Sequence, residues 1–301
     1  MINVSDKNNT LRIATATSTI KAANATIARV HSNDLPKKDV LAISRAAAVM
    51  AAKKTPELLP YCHPLPLDEV KITYDVGEDY ITVEATVSAI WKTGVEMEAL
   101  AAASAATLNL YDMLKPVDKE MEITSTKLLR KKGGKTDYKE KIPKDFLAAV
   151  IVTSDGTYAG NRKDKSGKII QSRLQELGIT NITYIILPDE KEQIRNELLK
   201  LCEESYDLIL TTGGTGLGPR DVTVEATSEI LEREMPAVVT AIQTYGQTRT
   251  PYAMLSRAKA GVRGKTVIVN FPGSSNGARE GLNAVFPALL HVSPMMQGGG
   301  H

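Results

Sequence analysis

The second half of the chain alternates short apolar runs with longer amphipathic segments. The apolar runs predict buried strands at Leu147–Thr153, Ile182–Leu187, Asp207–Thr212 and Thr266–Phe271. The amphipathic segments predict helices at Gly167–Leu177, Glu190–Glu204, Val224–Glu232 and Asn276–Leu290. This alternation is typical of a doubly wound α/β domain with a mainly parallel sheet. Ligands of such sheets bind beyond the carboxyl ends of the strands, so we expect a site there.

The first half has a different pattern, in which apolar and polar residues alternate at Val70–Tyr74 and Tyr80–Val87. Such alternation predicts antiparallel strands with one buried face. Two longer segments, Asp39–Lys54 and Glu96–Leu114, have helical spacing, and Pro116 ends the second. Strands and helices in this order favour an α+β domain.

Between the two patterns, residues 130–145 read RKKGGKTDYKEKIPKD, with paired glycines, a proline and almost no apolar side chain. This composition is typical of a linker. We therefore predict two domains, at 1–138 and 146–301, joined by a linker at 139–145.

Composition narrows the class of protein further. Charged residues are 24% of the 301 residues and the net charge is only +2, so nothing requires a polyanionic partner. Aromatic residues are 5%, which does not favour a nucleic-acid stacking surface. Two cysteines are too few for a disulfide framework, and no apolar stretch approaches the roughly 20 residues of a membrane helix. We expect a cytoplasmic protein that binds neither nucleic acid nor membrane.

The most distinctive loop is TTGGTGLGPRD at 211–221, directly after a predicted strand. Glycines at that place let the backbone approach a phosphate closely, but the lysine of a Walker loop is missing. Charge neutralisation is therefore expected from Mg²⁺ held by Asp189 and Asp221, and Arg220 is a candidate phosphate contact. The alternatives are a plain tight turn for the glycines and helix caps for both aspartates.

The second half resembles the MogA/MoaB family of molybdenum-cofactor biosynthesis in SD at 154–155, PDE at 188–190, TTGGTGLGPRDVT at 211–223, EREMP at 232–236 and LSRAKAGVRGKTVIVNFPGS at 255–274. The resemblance implies a molybdopterin adenylyltransferase, in which the terminal phosphate of molybdopterin attacks the α-phosphorus of Mg-ATP. It assigns Asp189 and Asp221 to catalysis and the metal. The substrate-binding residues it implies are Gly213, Gly214, Thr215, Gly216, Arg220, Ser256 and Ser274. Some members of this fold are thought to lack the activity, so a non-catalytic pterin-binding or assembly module is the alternative.

In the first half, the predicted helix Glu96–Leu114 carries candidate acid–base residues. Asp112 and Lys115 are three residues apart and share a face. Glu98 lies within about 40° of that face but roughly 21 Å away along the helix axis. One ligand therefore cannot touch both carboxylates within one subunit, and a second copy of the chain is expected to complete the site. The small residues at Ala99–Ala106 would let helices of two copies approach closely.

Each of these residues also has an ordinary structural interpretation. Asp112 and Lys115 can form a solvated surface ion pair of a few tenths of a kcal/mol. Glu96 and Glu98 are favoured in a first helical turn by the helix dipole. His63 can be a packed loop histidine, and the lysines of this half can be solubilising charges.

The combination of motifs is more specific, and it resembles the MoaC family in NVSDK at 3–7, KKDV at 37–40, AAKKTPELLPYCHPLPL at 51–67, KTGVEMEAL at 92–100, LYDMLK at 110–115 and KKGGK at 131–135. The resemblance implies a cyclic pyranopterin monophosphate synthase with a ferredoxin-like α+β fold. Such a lyase rearranges a cyclic dihydro-GTP intermediate and expels pyrophosphate. The family is hexameric, with sites between subunits.

The same resemblance implies a role for each matching position. Asp112 is the leading catalytic residue and Lys115 its acid–base partner, provided that a buried setting lowers the lysine pKa. The residues implied to bind the triphosphate end are Lys37, Lys53 and His63, and those implied to contact the rest of the substrate are Tyr61, Cys62, Glu96, Met97 and Glu98. Tyr61 stands where a leucine is usual in the family.

Together the two resemblances predict a bifunctional enzyme of molybdenum-cofactor biosynthesis that forms a homo-oligomer, a trimer or a hexamer. Its partners would be small pterin and nucleotide substrates, with Mg²⁺ as cofactor and ATP as co-substrate of the second half. A further alternative is an unrelated nucleotide-dependent kinase or ligase, which the absent Walker lysine disfavours.

Overall fold

The computed structural model describes residues 1–134, 137, 141–296 and 298. The chain divides into two compact units, Met1–Asp137 and Tyr138–His301. Residues 139 and 140 of the predicted linker and Lys135 of the KKGGK motif lie outside the described residues.

The first unit contains four strands and four helices among its described residues. Its strands are β1 (Thr10–Lys21), β2 (Glu69–Val76), β3 (Tyr80–Trp91) and β4 (Glu122–Lys132). Its helices are α1 (Asn24–Ser32), α2 (Val40–Lys53), α3 (Thr55–Leu58) and α4 (Glu96–Leu114).

The four strands form one antiparallel sheet in the order β2-β3-β1-β4. Alternate residues of β3, from Ile81 to Ala89, are fully buried, because one face of the sheet is covered by helices. Hydroxyl groups join the layers at buried positions: Ser18 of β1 contacts Thr107 of α4 at 2.8 Å. The domain is therefore of the α+β class, as the sequence pattern predicts.

Sequence reasoning found β2, β3, α2 and α4 but missed β1, β4 and α1. Strand β1 is rich in Ala, Thr and Ser, so its inward residues give a weak hydrophobic signal. Every residue of β4 is exposed, so it shows no apolar alternation at all. Consequently residues 130–132, which we read as the start of the linker, are the end of β4, where Arg130 pairs with Thr15.

In its described part, the second unit has six strands: β5 (Leu147–Thr153), β6 (Asn181–Leu187), β7 (Leu208–Thr212), β8 (Arg233–Glu234), β9 (Ala260–Arg263) and β10 (Thr266–Phe271). Its helices are α5 (Asp155–Tyr158), α6 (Ser166–Glu176), α7 (Lys191–Glu203), α8 (Thr223–Ser228), α9 (Pro236–Gln247), α10 (Ser275–Val285) and α11 (Val292–Met296), with 3₁₀ turns at Pro251–Leu255 and Ala288–His291.

The sheet order is β6-β5-β7-β10-β9-β8, and the first four strands are parallel. Apolar clusters lie on both faces. One contains Ile170 of α6 and Leu282 of α10, and the other contains Ile194 of α7 and Ala226 of α8. The predicted doubly wound α/β class is confirmed. From β5 the chain crosses to β6 on one side, and from β6 it crosses back over β5 to β7 on the other side. At this reversal of direction a crevice forms at the carboxyl ends of the strands.

Two predicted helices are shorter than expected, and α9 was missed. The segment predicted to run to Glu232 ends at Ser228, and the one predicted to run to Leu290 ends at Val285. The second ends there because Pro287 has no amide hydrogen to donate in a continuing helix.

Candidate active sites of the two units

A carboxylate held between two lysines lies at the carboxyl end of α4. The Nζ atom of Lys37 is 2.7 Å from Oδ2 of Asp112, and Nζ of Lys115 is 2.6 Å from Oδ1. Hydrogen bonds from Lys115 and Lys37 lower the pKa of Asp112 to about 2, and Asp112 raises the pKa of Lys115. Lys37, which we expected to bind phosphate, therefore contacts the predicted acid–base pair of Asp112 and Lys115.

The expected lowering of the lysine pKa is not found in the single chain. About half of each side chain is exposed: 51% of Asp112 and 57% of Lys115. The pKa of Lys115 is raised because its carboxylate partner stabilises the ammonium form more than partial burial destabilises it. Within one chain these residues are an exposed ion-pair cluster, and only further desolvation by a covering surface would lower the lysine pKa.

A second cluster lies at the amino end of α4, around a buried carboxylate. Glu98 is 1% exposed, and Sγ of Cys62 donates a hydrogen bond to its Oε1 at 3.5 Å. Its Oε2 has no hydrogen-bond partner among the described residues. Burial raises the pKa of Glu98, and burial together with Glu98 raises the pKa of Cys62 to about 11. A buried carboxylate oxygen without a partner is rare and is a feature of ligand sites.

The other predicted residues lie around these two clusters. Nε2 of His63 is 2.9 Å from the carbonyl oxygen of Ile2. Glu96 pairs with Lys131 at 3.2 Å. The remaining candidates, which are exposed, are Lys53, Tyr61 and Met97.

The two clusters occupy opposite ends of α4. Lys37, before α2, contacts Asp112, whereas Cys62, after α2, contacts Glu98, so α2 and α4 run in opposite directions. Half of the stretch Ala99–Ala106 packs inside the unit, and a contact of its outer residues with another copy stays a prediction. Ala99, Ala102, Ala103 and Ala106 are fully buried inside the unit, and Ser44 of α2 donates to the carbonyl oxygen of Ala106 at 3.0 Å.

In the second unit, a cavity of about 760 Å³ opens at the carboxyl ends of the parallel strands. It lies where the sheet topology predicts a ligand site. Its lining comprises the end of β5, the loop before α6, Asp189, the glycine loop and the start of α10: Val152, Thr153, Ser154, Thr157, Asn161, Arg162, Lys163, Asp164, Lys165, Ser166, Asp189, Thr212, Gly213, Gly214, Asp221, Gly273, Ser274 and Ser275.

The glycine loop requires glycine at two positions. Gly213 has φ +103°, and a Cβ there would overlap the carbonyl oxygen of Thr153. Gly214 has φ +60°, and a Cβ there would overlap the hydroxyl of Thr223. Only glycine therefore lets the loop lie this close to Thr153 and Thr223, and both glycines line the cavity.

Two aspartates stand beside this loop, and neither caps a helix. Oδ2 of Asp221 accepts a hydrogen bond from the amide of Gly218 at 2.7 Å, and the residue that precedes α8 is Val222. Asp189 and Asp155 exchange hydrogen bonds: each amide donates to the other carboxylate, at 2.9 and 3.0 Å. Burial raises the pKa of Asp189.

These two carboxylates fit a divalent cation. Asp189 and Asp221 both line the cavity, and one oxygen of each accepts no hydrogen bond from a described residue. Among the described residues, no group of three or more His, Cys, Asp or Glu side chains is arranged to hold a metal. Two hard carboxylate ligands without a full protein cage are what Mg²⁺ uses when substrate phosphates and water complete its shell.

Arg220, predicted to bind phosphate, is engaged elsewhere. Its guanidinium donates to both carboxylate oxygens of Asp155, at 3.0 and 2.9 Å, and to Glu190 at 2.8 Å. It does not line the cavity. Its ion pairs join the loops that carry Asp155 and Glu190, and its contact with a phosphate stays a prediction.

Sequence reasoning missed Arg257, which holds the glycine loop in place. Its Nε donates to the carbonyl oxygen of Gly216 at 2.7 Å and its Nη2 to that of Asp221 at 2.8 Å, while Nη1 pairs with Glu225. Its neighbour Ser256, a predicted binding residue, approaches Thr215 at 3.5 Å between hydroxyl oxygens. The only signal in the sequence is the arginine of the LSRAKAG motif.

Ser274 separates the main cavity from a second one of about 630 Å³. It is the N-cap of α10 and accepts a hydrogen bond from the amide of Gly277 at 3.1 Å. The second cavity is lined largely by apolar surface, including Ile242, Ala253 and the exposed ring of Tyr252.

No helix in the described part of the chain has the length and apolar character needed to cross a bilayer.

The comparison with family models assigns each unit to a class. Residues 1–134 match the MoaC family, and residues 149–291 match the model described as a probable molybdopterin binding domain. The chain is therefore a MoaC-type domain followed by a domain of the MogA/MoaB type.

Full-length relatives have both units in one chain. A molybdenum cofactor biosynthesis bifunctional protein of Chlorobaculum tepidum is 42% identical over 301 residues, covering 100% of this chain and 96% of the relative. One from Synechococcus elongatus is 38% identical, covering 100% and 98%. A cyclic pyranopterin monophosphate synthase of a Roseiflexus species is 46% identical over 45% of this chain and 87% of its own length. The chain belongs to the family of bifunctional molybdenum cofactor biosynthesis proteins.

Proposed function

We propose that the first unit converts a cyclic dihydro-GTP intermediate into cyclic pyranopterin monophosphate and releases pyrophosphate. The observation that carries this proposal is the Asp112 carboxylate held between the ammonium groups of Lys37 and Lys115. An acid that touches two amines can pass protons during a ring rearrangement, and the lysines can neutralise the departing phosphates. Glu98, buried with one free oxygen, would accept a hydrogen bond from a ring N–H group of the substrate.

We propose that this site is completed by a second copy of the chain in a homo-oligomer, a trimer or a hexamer. The two clusters lie at opposite ends of α4, roughly 21 Å apart, which exceeds the reach of one pterin. A second copy covering Lys115 would also desolvate it and lower its pKa toward the range for proton transfer. The β-α-β-β-α-β succession of the larger elements and the sheet order support a ferredoxin-like class for the unit.

We propose that the second unit transfers an adenylyl group from ATP to molybdopterin. An oxygen of the pterin's terminal phosphate attacks the α-phosphorus, the bond to the β-phosphate oxygen breaks, and pyrophosphate leaves. The observation that carries this proposal is the cavity that Asp189 and Asp221 line together with the backbone of Gly213 and Gly214. The amide of Gly214 would help to orient the phosphate, because positioning and charge neutralisation dominate phosphoryl-type transfer.

Asp189 and Asp221 would hold Mg²⁺, which when bound neutralises the negative charge of the phosphates. The apolar cavity beside Tyr252 would accept a flat heterocycle, and Ser274 would lie between ring and phosphate subsites. The two free thiols, Cys62 and Cys202, support a reducing, cytoplasmic compartment for both reactions.

The experiment is to assay the full chain for both reactions with paired substitutions. Asp112→Asn should abolish cyclic pterin formation and leave adenylation intact, whereas Asp221→Asn should do the reverse. Asp34→Asn, an exposed aspartate of the first unit outside both sites, is the matched control and should affect neither.

Other outcomes would redirect the proposal. Loss of both activities in either variant would contradict independent sites. Molybdopterin binding without adenylated product would identify the second unit as a non-catalytic pterin-binding or assembly module. ATP turnover without any pterin would favour an unrelated kinase or ligase.

A further inference from the structure

Basic side chains line one part of the main cavity of the second unit, and the sequence analysis gave them no role. Arg162, Lys163 and Lys165 lie close together on the loop between α5 and α6, and all three line the cavity. All three residues are exposed, and none of their side chains has a hydrogen bond or ion pair with another described residue.

Other basic side chains of this region are neutralised. Arg220 is paired with Asp155 and Glu190, and Arg257 is paired with Glu225. Arg162, Lys163 and Lys165 form no such pair with a described residue, so they are available to an anion in the cavity. Asp164, Asp189 and Asp221 line the same cavity, so its basic side chains and carboxylates together suit a chain of phosphates that carries Mg²⁺.

The backbone of the loop is nevertheless fixed at both ends. The amide of Arg162 donates to the carbonyl oxygen of Gly156 at 3.0 Å. The carboxylate of Asp164 accepts from the amides of Gly167 and Lys168, at 3.1 and 3.0 Å, and from the hydroxyl of Tyr184. The basic side chains are thus presented from a preorganised backbone, which lowers the entropic cost of binding.

We propose that Arg162, Lys163 and Lys165 bind the two outer phosphates of the nucleotide and hold the pyrophosphate as it leaves. This inference rests on the proposed adenylyl transfer and identifies the residues that neutralise the charge of the departing pyrophosphate. The glycine loop and the aspartates serve the phosphorus at which bonds change, and Arg220 is not free to help. Three cations match the charge of a pyrophosphate better than that of a monoester, and arginine can contact two of its oxygens at once.

The test is a calorimetric titration of the full chain with Mg²⁺ and α,β-methylene-ATP, which cannot be cleaved at the α-phosphorus. The variant is R162Q/K163Q/K165Q. The control, K144Q/R195Q/K200Q, removes the same charge at residues outside the cavity. Both variants leave the first unit unchanged, so any binding there cancels in the comparison.

The cavity variant should bind the triphosphate analogue roughly tenfold or more weakly than the control, with a shallower dependence on salt. AMP, which lacks the outer phosphates, should bind both variants equally. An equal loss in the control variant, or an equal loss for AMP, would overturn the inference. Weaker binding of molybdopterin with unchanged binding of the analogue would also overturn it, because the loop would then serve the pterin phosphate.

The titration needs no turnover, so it separates this inference from the proposed reaction. If the wild-type chain forms no adenylated product but the loop still governs affinity for the triphosphate, adenylyl transfer fails and the binding role remains.

Discussion

The hydrogen bonds of Arg257 define a perturbation whose size can be worked out. In Arg257→Lys the charge that pairs with Glu225 is retained, but one ammonium cannot reach the carbonyl oxygens of Gly216 and Asp221 together. A hydrogen bond to a charged group contributes about 1.5–3 kcal/mol. The side chain is 34% exposed, so we discount the sum of two bonds for solvent screening, to a net loss of about 2 kcal/mol.

A loss of about 2 kcal/mol corresponds to roughly a 30-fold change in an equilibrium constant. We expect the glycine loop to open that much more often, which hydrogen exchange of residues 213–221 measures directly. Adenylation should fall at least tenfold, because Gly213, Gly214 and Asp221 of this loop line the cavity. The first unit supplies an internal control: Trp91, the only tryptophan, reports its unfolding by fluorescence, and that transition should not move.

Protection of residues 213–221 and adenylation both at wild-type level in Arg257→Lys would refute this reasoning. So would an equal effect of Lys259→Arg, since that neighbour pairs with Glu234 and touches no loop carbonyl.

Three further predictions follow from individual contacts. Burial raises the pKa of Asp189, so the folded state binds its proton more tightly and stability falls as pH rises from the unfolded value through the folded pKa. Asp189→Asn should abolish adenylation, because it removes a proposed metal ligand. It also removes a carboxylate whose charged form burial disfavours, so the second unit should be at least as stable at pH 7. Clear destabilisation in urea would contradict this. The pKa of Cys62 is about 11, against an ordinary 9.0, so its thiol should be alkylated at pH 8 about 100-fold more slowly than a free thiol. Glu98→Gln should accelerate this alkylation. An unchanged rate in that variant would exclude the thiol–carboxylate contact. The fully buried Asn270 side chain forms three hydrogen bonds, with two threonine hydroxyls and one backbone amide. Asn270→Leu removes all three and should lower the free energy of unfolding of the second unit by about 3–5 kcal/mol. A loss below about 1 kcal/mol would mean that these bonds are not formed.

The elements recovered from sequence are those with a strong local signal. Strands such as β5 and β10 are continuous apolar runs because both faces of the sheet are covered, and α4 begins and ends where its spacing and Pro116 predict. Strand β4 gave no such signal, since it is held by its backbone pairing with β1 and buries none of its side chains. A periodicity argument cannot find such a strand.

The site residues found from sequence are likewise those with a local signal. Asp112, Lys115 and the glycine loop were found because their neighbours in sequence are also their neighbours in space. The role of Lys37 as a partner of Asp112 was not found, because 75 residues separate the two in the chain.

The sequence by itself determined the fold class of each half, the family and the residue types available for chemistry, because period and motif are local properties of a chain. Only the tertiary structure decided that Arg220 is bound by carboxylates while Arg257 holds the loop and Arg162 is free at the cavity. All three are arginines in loops of the second unit, and a guanidinium pairs with whichever carboxylate or carbonyl the fold brings within about 3 Å. That choice depends on contacts between distant parts of the chain, and no local pattern contains it.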